Sequence, residues 1–476
     1  MESRGAGFRT VFGPGAAEGL GGTLPLAEGR WYLFLREEGA TDPESYVPLR
    51  VAPGMHAGLP LHRVSRGRRF TLERRFHDRL ALVSGSALPA KDRGAYGQRQ
   101  LRNRYATARG AGGAQLRPAV LYSSFDGRQY SDSPRAVHEE LARRDSGLEH
   151  LWVVRDQQAA VPAGVRAVAL NSAEWHDALA RSRWIVTNTQ LPEWFERAAG
   201  QFVVQTWHGT PLKRIGRDLA GSPCADAAYM ASMPRRAAQW SVLLSPNSFS
   251  TPILRRAFGH TGEVLECGYP RNDLLYATDR DKVADAVRAG LGIPDGSRVV
   301  LYAPTWREDR PKQGGRYGLD LQLDLRQARQ ALGDDHVLLV RRHYMVGGSI
   351  PESGFVRDVS RYPDVAELLL ISDVLVTDYS SLMFDFAPTG RPMLFHTYDL
   401  AHYRDTLRGF YFDFENRAPG PLITTSAGVV EALRDPEQAT DAHRDAYSRF
   451  VESFCDFDDG TAAARVADLM LKEAHA

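Results

Sequence analysis

Residues 364–386 read DVAELLLISDVLVTDYSSLMFDF, and the pattern in this stretch recurs through most of the chain. VAELLLIS (365–372) is a short helix, Val374–Thr377 is a strand, DYSS (378–381) is a turn, and a second helix starts at Leu382. Helices alternating with strands imply a parallel sheet with crossover helices on its faces. Working outward, the same alternation covers VADAVRAGLG (283–292, helix), SRVVLYAP (297–304, strand), DLRQARQALG (324–333, helix) and HVLLVRRH (336–343, strand). After the opening stretch come SLMFDFAPTG (381–390, helix) and RPMLFHT (391–397, strand).

An earlier series has the same form. AVLYSSF (119–125) reads as a strand and SPRAVHEELARR (133–144) as an amphipathic helix, with Ser133 as N-cap and Pro134 at its first position. LEHLWVV (148–154) is a strand, SAEWHDALARS (172–182) a helix and RWIVTN (183–188) a strand. PEWFERA (192–198) reads as a helix and FVVQTW (202–207) as a strand. The fold class is therefore α/β, with two Rossmann-like domains facing across a cleft and a small all-β module ahead of them. The expected organisation is an all-β module over 1–95, a basic linker over 96–117 ending in flexible GAGGAQLRP, and domains over 118–267 and 268–435. A helical segment over 436–476 closes the chain.

Bulk properties narrow the function. The 476 residues carry a net charge of +1, with 43% hydrophobic and 25% charged residues, as in ordinary globular proteins, and no global field points to nucleic acid. Residues 61–110 differ, holding 13 Lys and Arg against 3 Asp and Glu. A solvated surface accounts for that run; so does attraction to an anionic membrane face or polymer. Three widely spaced cysteines, Cys224, Cys267 and Cys455, form no metal-ligand pattern and suit a reducing compartment. No apolar run approaches the ~18–20 residues needed to span a bilayer, and MESRGAGFRTVFGPG lacks the apolar core of a signal peptide. The expected location is cytoplasmic.

The chemical signals fall at strand ends, where open α/β sheets place ligands. The DYSS turn, flanked by the hydroxyls of Thr377, Ser380 and Ser381, suits a pyrophosphate, although Asp378 or Ser380 as a plain helix cap fits equally. Arg341, Arg342 and His343 follow another strand of the same half, as phosphate ligands or as a surface charge run. YAPTWRED (302–309) repeats the arrangement with Thr305, Trp306 and Arg307, and GYPRNDLL (268–275) offers Arg271 in a rigid turn with Asn272 and Asp273 as a helix cap. In QTWHGTPLKRIG (205–216), His208 lies past a strand of the other half. Gly209 there permits close backbone approach, and Lys213 and Arg214 follow. A histidine titrating near neutral pH can deprotonate a hydroxyl. Carboxylate pairs for glycoside hydrolysis, a P-loop and zinc-ligand clusters do not occur as convincing patterns.

QTWHGTPLKRIG, GYPRNDLL, YAPTWR and DVAELLLISDVLVTDYSSLMFDF, in that order, resemble the CDP-glycerol glycerophosphotransferase family, over roughly 118–455. The resemblance implies a GT-B architecture with the acceptor half first. It implies transfer of glycerol phosphate from CDP-glycerol to a hydroxyl of a growing, lipid-linked polymer, with release of CMP. It casts His208 as the general base and His343 as a contact to the donor phosphates. Thr377, Ser380 and Ser381 become the pyrophosphate turn, Asp385 a donor-side acid and Glu367 a contact to the cytidine ribose. Arg271, Thr305 and Arg342 join the donor side, Gly209 and Lys213 the acceptor side. It calls for no metal and no cofactor. The implied partners are a CDP-polyol donor, a polyol-phosphate or glycan polymer and the inner membrane surface, with no nucleic acid. A CDP-ribitol donor, a nucleotide-sugar donor and a non-catalytic polymer- or membrane-binding protein remain the alternatives.

Overall fold

The structure, a computed structural model, describes residues 2–4, 7–9, 11, 13–20, 22–36, 46–110, 115–307, 309, 312–313, 316–317, 321–343, 346–348, 350 and 352–473. The chain gathers into two compact units. One comprises Met1–Ala114, Asp126–Tyr130 and Leu151–Ala180; the other comprises Gln115–Phe125, Ser131–His150 and Arg181–Ala476.

The first unit contains an antiparallel sheet ordered Gly29–Tyr32, Leu80–Ser84, Arg68–Arg74, Leu61–Ser65. The last two strands are joined by Arg66 and Gly67, both with positive φ, the conformation that tight two-residue hairpins need. Phe70, Ala81 and Leu82 are buried in the sheet. Arg68 is buried with them, and its guanidinium donates to the carbonyls of Leu26, Gly85 and Asp156, to Ser84 Oγ and to the Asp156 carboxylate. A buried cation stands only when so compensated. The basic stretch opens as the helix Gly94–Gly110, which buries Leu101 and Tyr105, four residues apart on one face. The expected flexibility of its end falls on 111–114, outside the described residues. Residues 126–130 and 151–180, expected in the first α/β domain, cluster with this module; within them Leu151–Val154 pair in parallel with Arg166–Ala169.

The second unit holds two parallel sheets. In one, the strands Arg117–Ser123, Ser182–Thr187, Phe202–Gln205, Val242–Ser245 and Glu263–Glu266 lie side by side in that order. In the other, the order is Val356–Asp358, His336–Val340, Arg298–Ala303, Val374–Thr377, Met393–His396, Leu422–Ile423. Beyond Arg298 and His336, the half-buried residues that open two of them, the central strands are buried and almost wholly apolar, as a sheet covered by helices on both sides requires. The closing segment forms the helices Arg444–Phe454 and Ala462–Lys472. The last one returns to the first sheet, where Trp184 Nε1 donates to the Met470 carbonyl at 3.2 Å.

Four local expectations change. PEWFERA is not a helix: the N–H groups of Arg197 and Ala198 are taken by the side-chain carbonyls of Gln239 and Gln201, and Phe195 is buried from a turn. The helix expected from Ser133 runs Asp132–Arg143, with Ser131 as its cap residue, so Ser133 lies inside it. The helix after DYSS is short, Leu382–Phe386, and passes into a 3-10 turn, Ala387–Thr389, at Pro388. Asp273 caps a helix, but the last one: its carboxylate accepts from the N–H groups of Ala462 and Ala463.

Candidate active site

The strand Phe202–Gln205 ends in a turn that sets His208. The buried Gln205 side chain accepts the Trp207 N–H at 2.9 Å and donates to the Thr189 carbonyl. Trp207 has φ 53°, a strained conformation for a bulky residue, held by its packing against Phe258. The half-buried His208 ring follows, and its Nδ1 donates to the Asn188 carbonyl at 2.7 Å. A carbonyl only accepts, so the neutral ring carries its proton on Nδ1 and its lone pair on Nε2, the tautomer a general base needs. Asn188 Oδ1 also accepts the N–H of Phe125, whose ring lies 5.8 Å from that of His208. Gly209 N–H donates to Tyr269 Oη at 3.0 Å.

Across from this turn lies DYSS. Asp378 does not cap the following helix. Its Oδ1 accepts from the N–H groups of Thr305 and Tyr379, and its Oδ2 pairs with Arg307 at 2.9 Å. Ser380 Oγ accepts the Leu382 N–H at 3.3 Å, and the cap residue is Ser381, whose side chain makes no capping bond. Ser381 stands against Gly209: a Cβ built on that glycine would lie 2.6 Å from Ser381 Oγ. The turn after Phe202–Gln205 and the turn after Val374–Thr377 therefore touch at two motifs that the sequence singled out. His343 stacks on Trp306 with centroids 5.4 Å apart and planes 22° apart.

The remaining expected site residues fall into two groups. Thr305 and Arg342 line the same strand ends; Thr305 Oγ1 and Arg342 Nε are buried without a hydrogen-bond partner, while Arg342 Nη2 reaches Asp358 at 3.4 Å. Glu367 is held by two donors, Arg135 Nη1 and Tyr362 Oη, each at 2.6 Å. Arg135 also pairs with Asp364, whose carboxyl burial raises to about 6 although Arg135 opposes the shift. Burial brings the neighbouring Arg341 down to about 10, with its guanidinium donating to the carbonyls of Val359 and Tyr362. Lys213 bridges by its backbone to Phe410.

Thr377, Arg271 and Asp385 are committed elsewhere. The Thr377 hydroxyl is fully buried and donates to the Ala303 carbonyl at 2.7 Å. Arg271 and Asp385 form a bidentate pair, and Arg271 Nη1 also donates to Asp132 at 2.9 Å; all three side chains are 3–4% exposed. Asp132 has φ 64°, which aspartate tolerates, and its other oxygen accepts the Ser133 N–H. Sequence reasoning missed Asp132, Arg135 and Tyr269, and read Asp378 only as a helix cap. Asp378 and Tyr269 lie inside quoted motifs, whereas nothing in the local sequence around Arg135 distinguishes it from a surface helix cation.

Two parallel sheets whose C-terminal edges meet through Gly209 and Ser381 define a GT-B architecture. The chain belongs to the CDP-glycerol:poly(glycerophosphate) glycerophosphotransferase family, whose model matches residues 115–472. It is 39% identical over 364 residues to the teichoic acid poly(glycerol phosphate) polymerase of Bacillus subtilis strain 168, covering 75% of this chain but only 49% of that protein. It is 38% identical over 365 residues to the teichoic acid glycerol-phosphate transferase of Staphylococcus aureus strain NCTC 8325, covering 74% of this chain and 92% of that one. A histidine-to-alanine variant of the wall teichoic acid polymerase TagF superposes with a TM-score of 0.74 at 34% identity, over 79% of this chain and 93% of its own. Among the described residues no group of His, Cys, Asp or Glu could hold a metal ion, and no helix is long and apolar enough to cross a membrane.

Proposed function

We propose that this chain transfers glycerol phosphate from CDP-glycerol to a hydroxyl of a polyol-phosphate polymer. The contact of Gly209 with Ser381 carries the reading, because it puts His208 one residue from a turn suited to the donor phosphates. Nε2 of His208 takes the proton as the acceptor oxygen attacks the β-phosphorus. A new O–P bond forms there, the bond from that phosphorus to the bridging oxygen breaks, and CMP leaves with the oxygen. His343, Arg342, Thr305, Ser380 and Ser381 steady the charge on the pyrophosphate, and Glu367 meets the ribose. Thr377, Arg271 and Asp385 support these groups from within the fold.

The acceptor is a lipid-linked chain, met at the inner face of the membrane. Exposed cations of residues 61–110, among them Arg63, Arg66, Arg69, Arg99 and Arg102, supply attraction to anionic lipid there. The experiment incubates the full chain with acceptor and, separately, CDP-glycerol, CDP-ribitol or a UDP- or GDP-linked sugar, scoring nucleotide release and product mass. CMP with CDP-ribitol alone would move the donor to ribitol. Release of UDP or GDP from a nucleotide sugar would make it a glycosyltransferase, and release of no nucleotide from any donor would leave a binding protein.

A further inference from the structure

Arg307 lies four residues beyond the strand Arg298–Ala303 and has only 5% of its side chain exposed. Its guanidinium makes a two-pronged pair with Asp399, at 2.7 and 3.0 Å. Nη1 also reaches Asp378 Oδ2 at 2.9 Å and the Thr305 carbonyl at 2.6 Å. Its flat face is surrounded by the rings of Tyr403, Tyr398 and Tyr379, with centroids 4.9, 5.1 and 5.3 Å away. Tyr379 Oη closes the network by donating to Asp399 at 3.0 Å.

One side chain thus ties three strand-end loops, those after Arg298–Ala303, Val374–Thr377 and Met393–His396. The first carries Trp306, on which His343 stacks. The second carries Ser380 and Ser381, reached through Asp378. A lysine would keep the charge but lose the planar fork that reaches both carboxylates and the carbonyl at once.

We propose that Arg307 is a positioning residue for the transfer reaction, placing His343 through Trp306 and the two serines through Asp378 against the donor's pyrophosphate. The inference rests on the transferase reading above. A displacement of these groups by about 1 Å is enough to cost on the order of 100-fold in rate. The loss falls on kcat, because the charge they steady is greatest in the transition state.

The test uses full-length Arg307→Lys and Asp399→Asn, each checked for folding by circular dichroism. Arg307→Lys is expected to lower kcat for CMP release about 30-fold with KM for CDP-glycerol changed less than about threefold. Asp399→Asn is expected to lower kcat about fivefold in the same sense. The His343 ring-proton resonance, assigned by its absence in His343→Gln, is shifted by the Trp306 ring and should move in Arg307→Lys. Unchanged kcat and KM with an unmoved resonance in folded Arg307→Lys would overturn the inference, and so would a rise in KM alone. If Arg307→Lys does not fold, an unchanged kcat in Asp399→Asn overturns it instead. If the wild-type chain releases no CMP, the transferase reading fails, while the resonance still decides whether Arg307 positions His343.

Discussion

Gly209 and Ser381 approach so closely that a methyl group has no room between them: a Cβ on Gly209 would lie 2.6 Å from Ser381 Oγ and 3.0 Å from its Cβ. The glycine is needed for space, since its φ lies outside the left-handed region. Gly209→Ala should therefore push the two turns apart and lower kcat by about 10-fold or more. Pairing it with Ser381→Gly, which removes the hydroxymethyl group, should recover part of that loss. Additive losses in the double variant would show that the contact does not govern the distance between the turns.

His208→Ala should reduce transfer by about 100- to 10,000-fold, the range for loss of a general base. CDP-glycerol should still bind, measured by calorimetry, because the donor contacts proposed above belong to the other sheet. Near-normal turnover in this variant would exclude His208 as the base.

The Thr377 hydroxyl spends its proton on Ala303 inside the fold. Thr377→Val should cost roughly 1 kcal/mol of stability and leave KM for CDP-glycerol within about twofold. A large rise in KM with unchanged thermal stability would instead assign the hydroxyl to the donor.

Arg271 pairs with two carboxylates, Asp132 and Asp385, in a buried cluster. Arg271→Met leaves both uncompensated and should destabilise the protein by about 3–5 kcal/mol. The readout is the midpoint of thermal unfolding. Adding Asp385→Asn to that variant should raise the midpoint again, and failure to do so would mean the pair is not what Arg271 supports.

His138 is held neutral in the fold: burial, with His150 and Arg135 nearby, pushes its pKa down to about 4. The unfolded chain binds this proton near pH 6.5, so between about pH 6.5 and 4 the unfolded state holds more protons and stability falls as pH falls. His138→Gln cannot take up the proton. Its unfolding midpoint relative to wild type should therefore rise between pH 7.5 and pH 5, and a difference independent of pH would show that His138 does not titrate in this way.

The α/β class and most central strands could be read from local pattern, because a strand such as Val374–Thr377 needs an apolar run, here Val374, Leu375 and Val376, to lie in a sheet covered on both faces. The same held for the four motifs, since glycines, prolines and hydroxyl residues mark strand ends wherever they fall. PEWFERA misled because Gln239 and the nearby Gln201 satisfy its backbone, and residue spacing cannot report a partner such as Gln239, some 40 positions away. Asp378 looked like a helix cap and proved to join three loops through Arg307; Arg271 and Asp385 looked like ligand contacts and proved to hold each other. By itself the sequence determined which residues stand at strand ends and which chemical types gather there. Only the tertiary structure decided which of those polar groups are used up inside the fold and which face the other sheet. A buried charge must find its partner wherever the chain happens to bring one, and that partner is set by packing across the whole molecule.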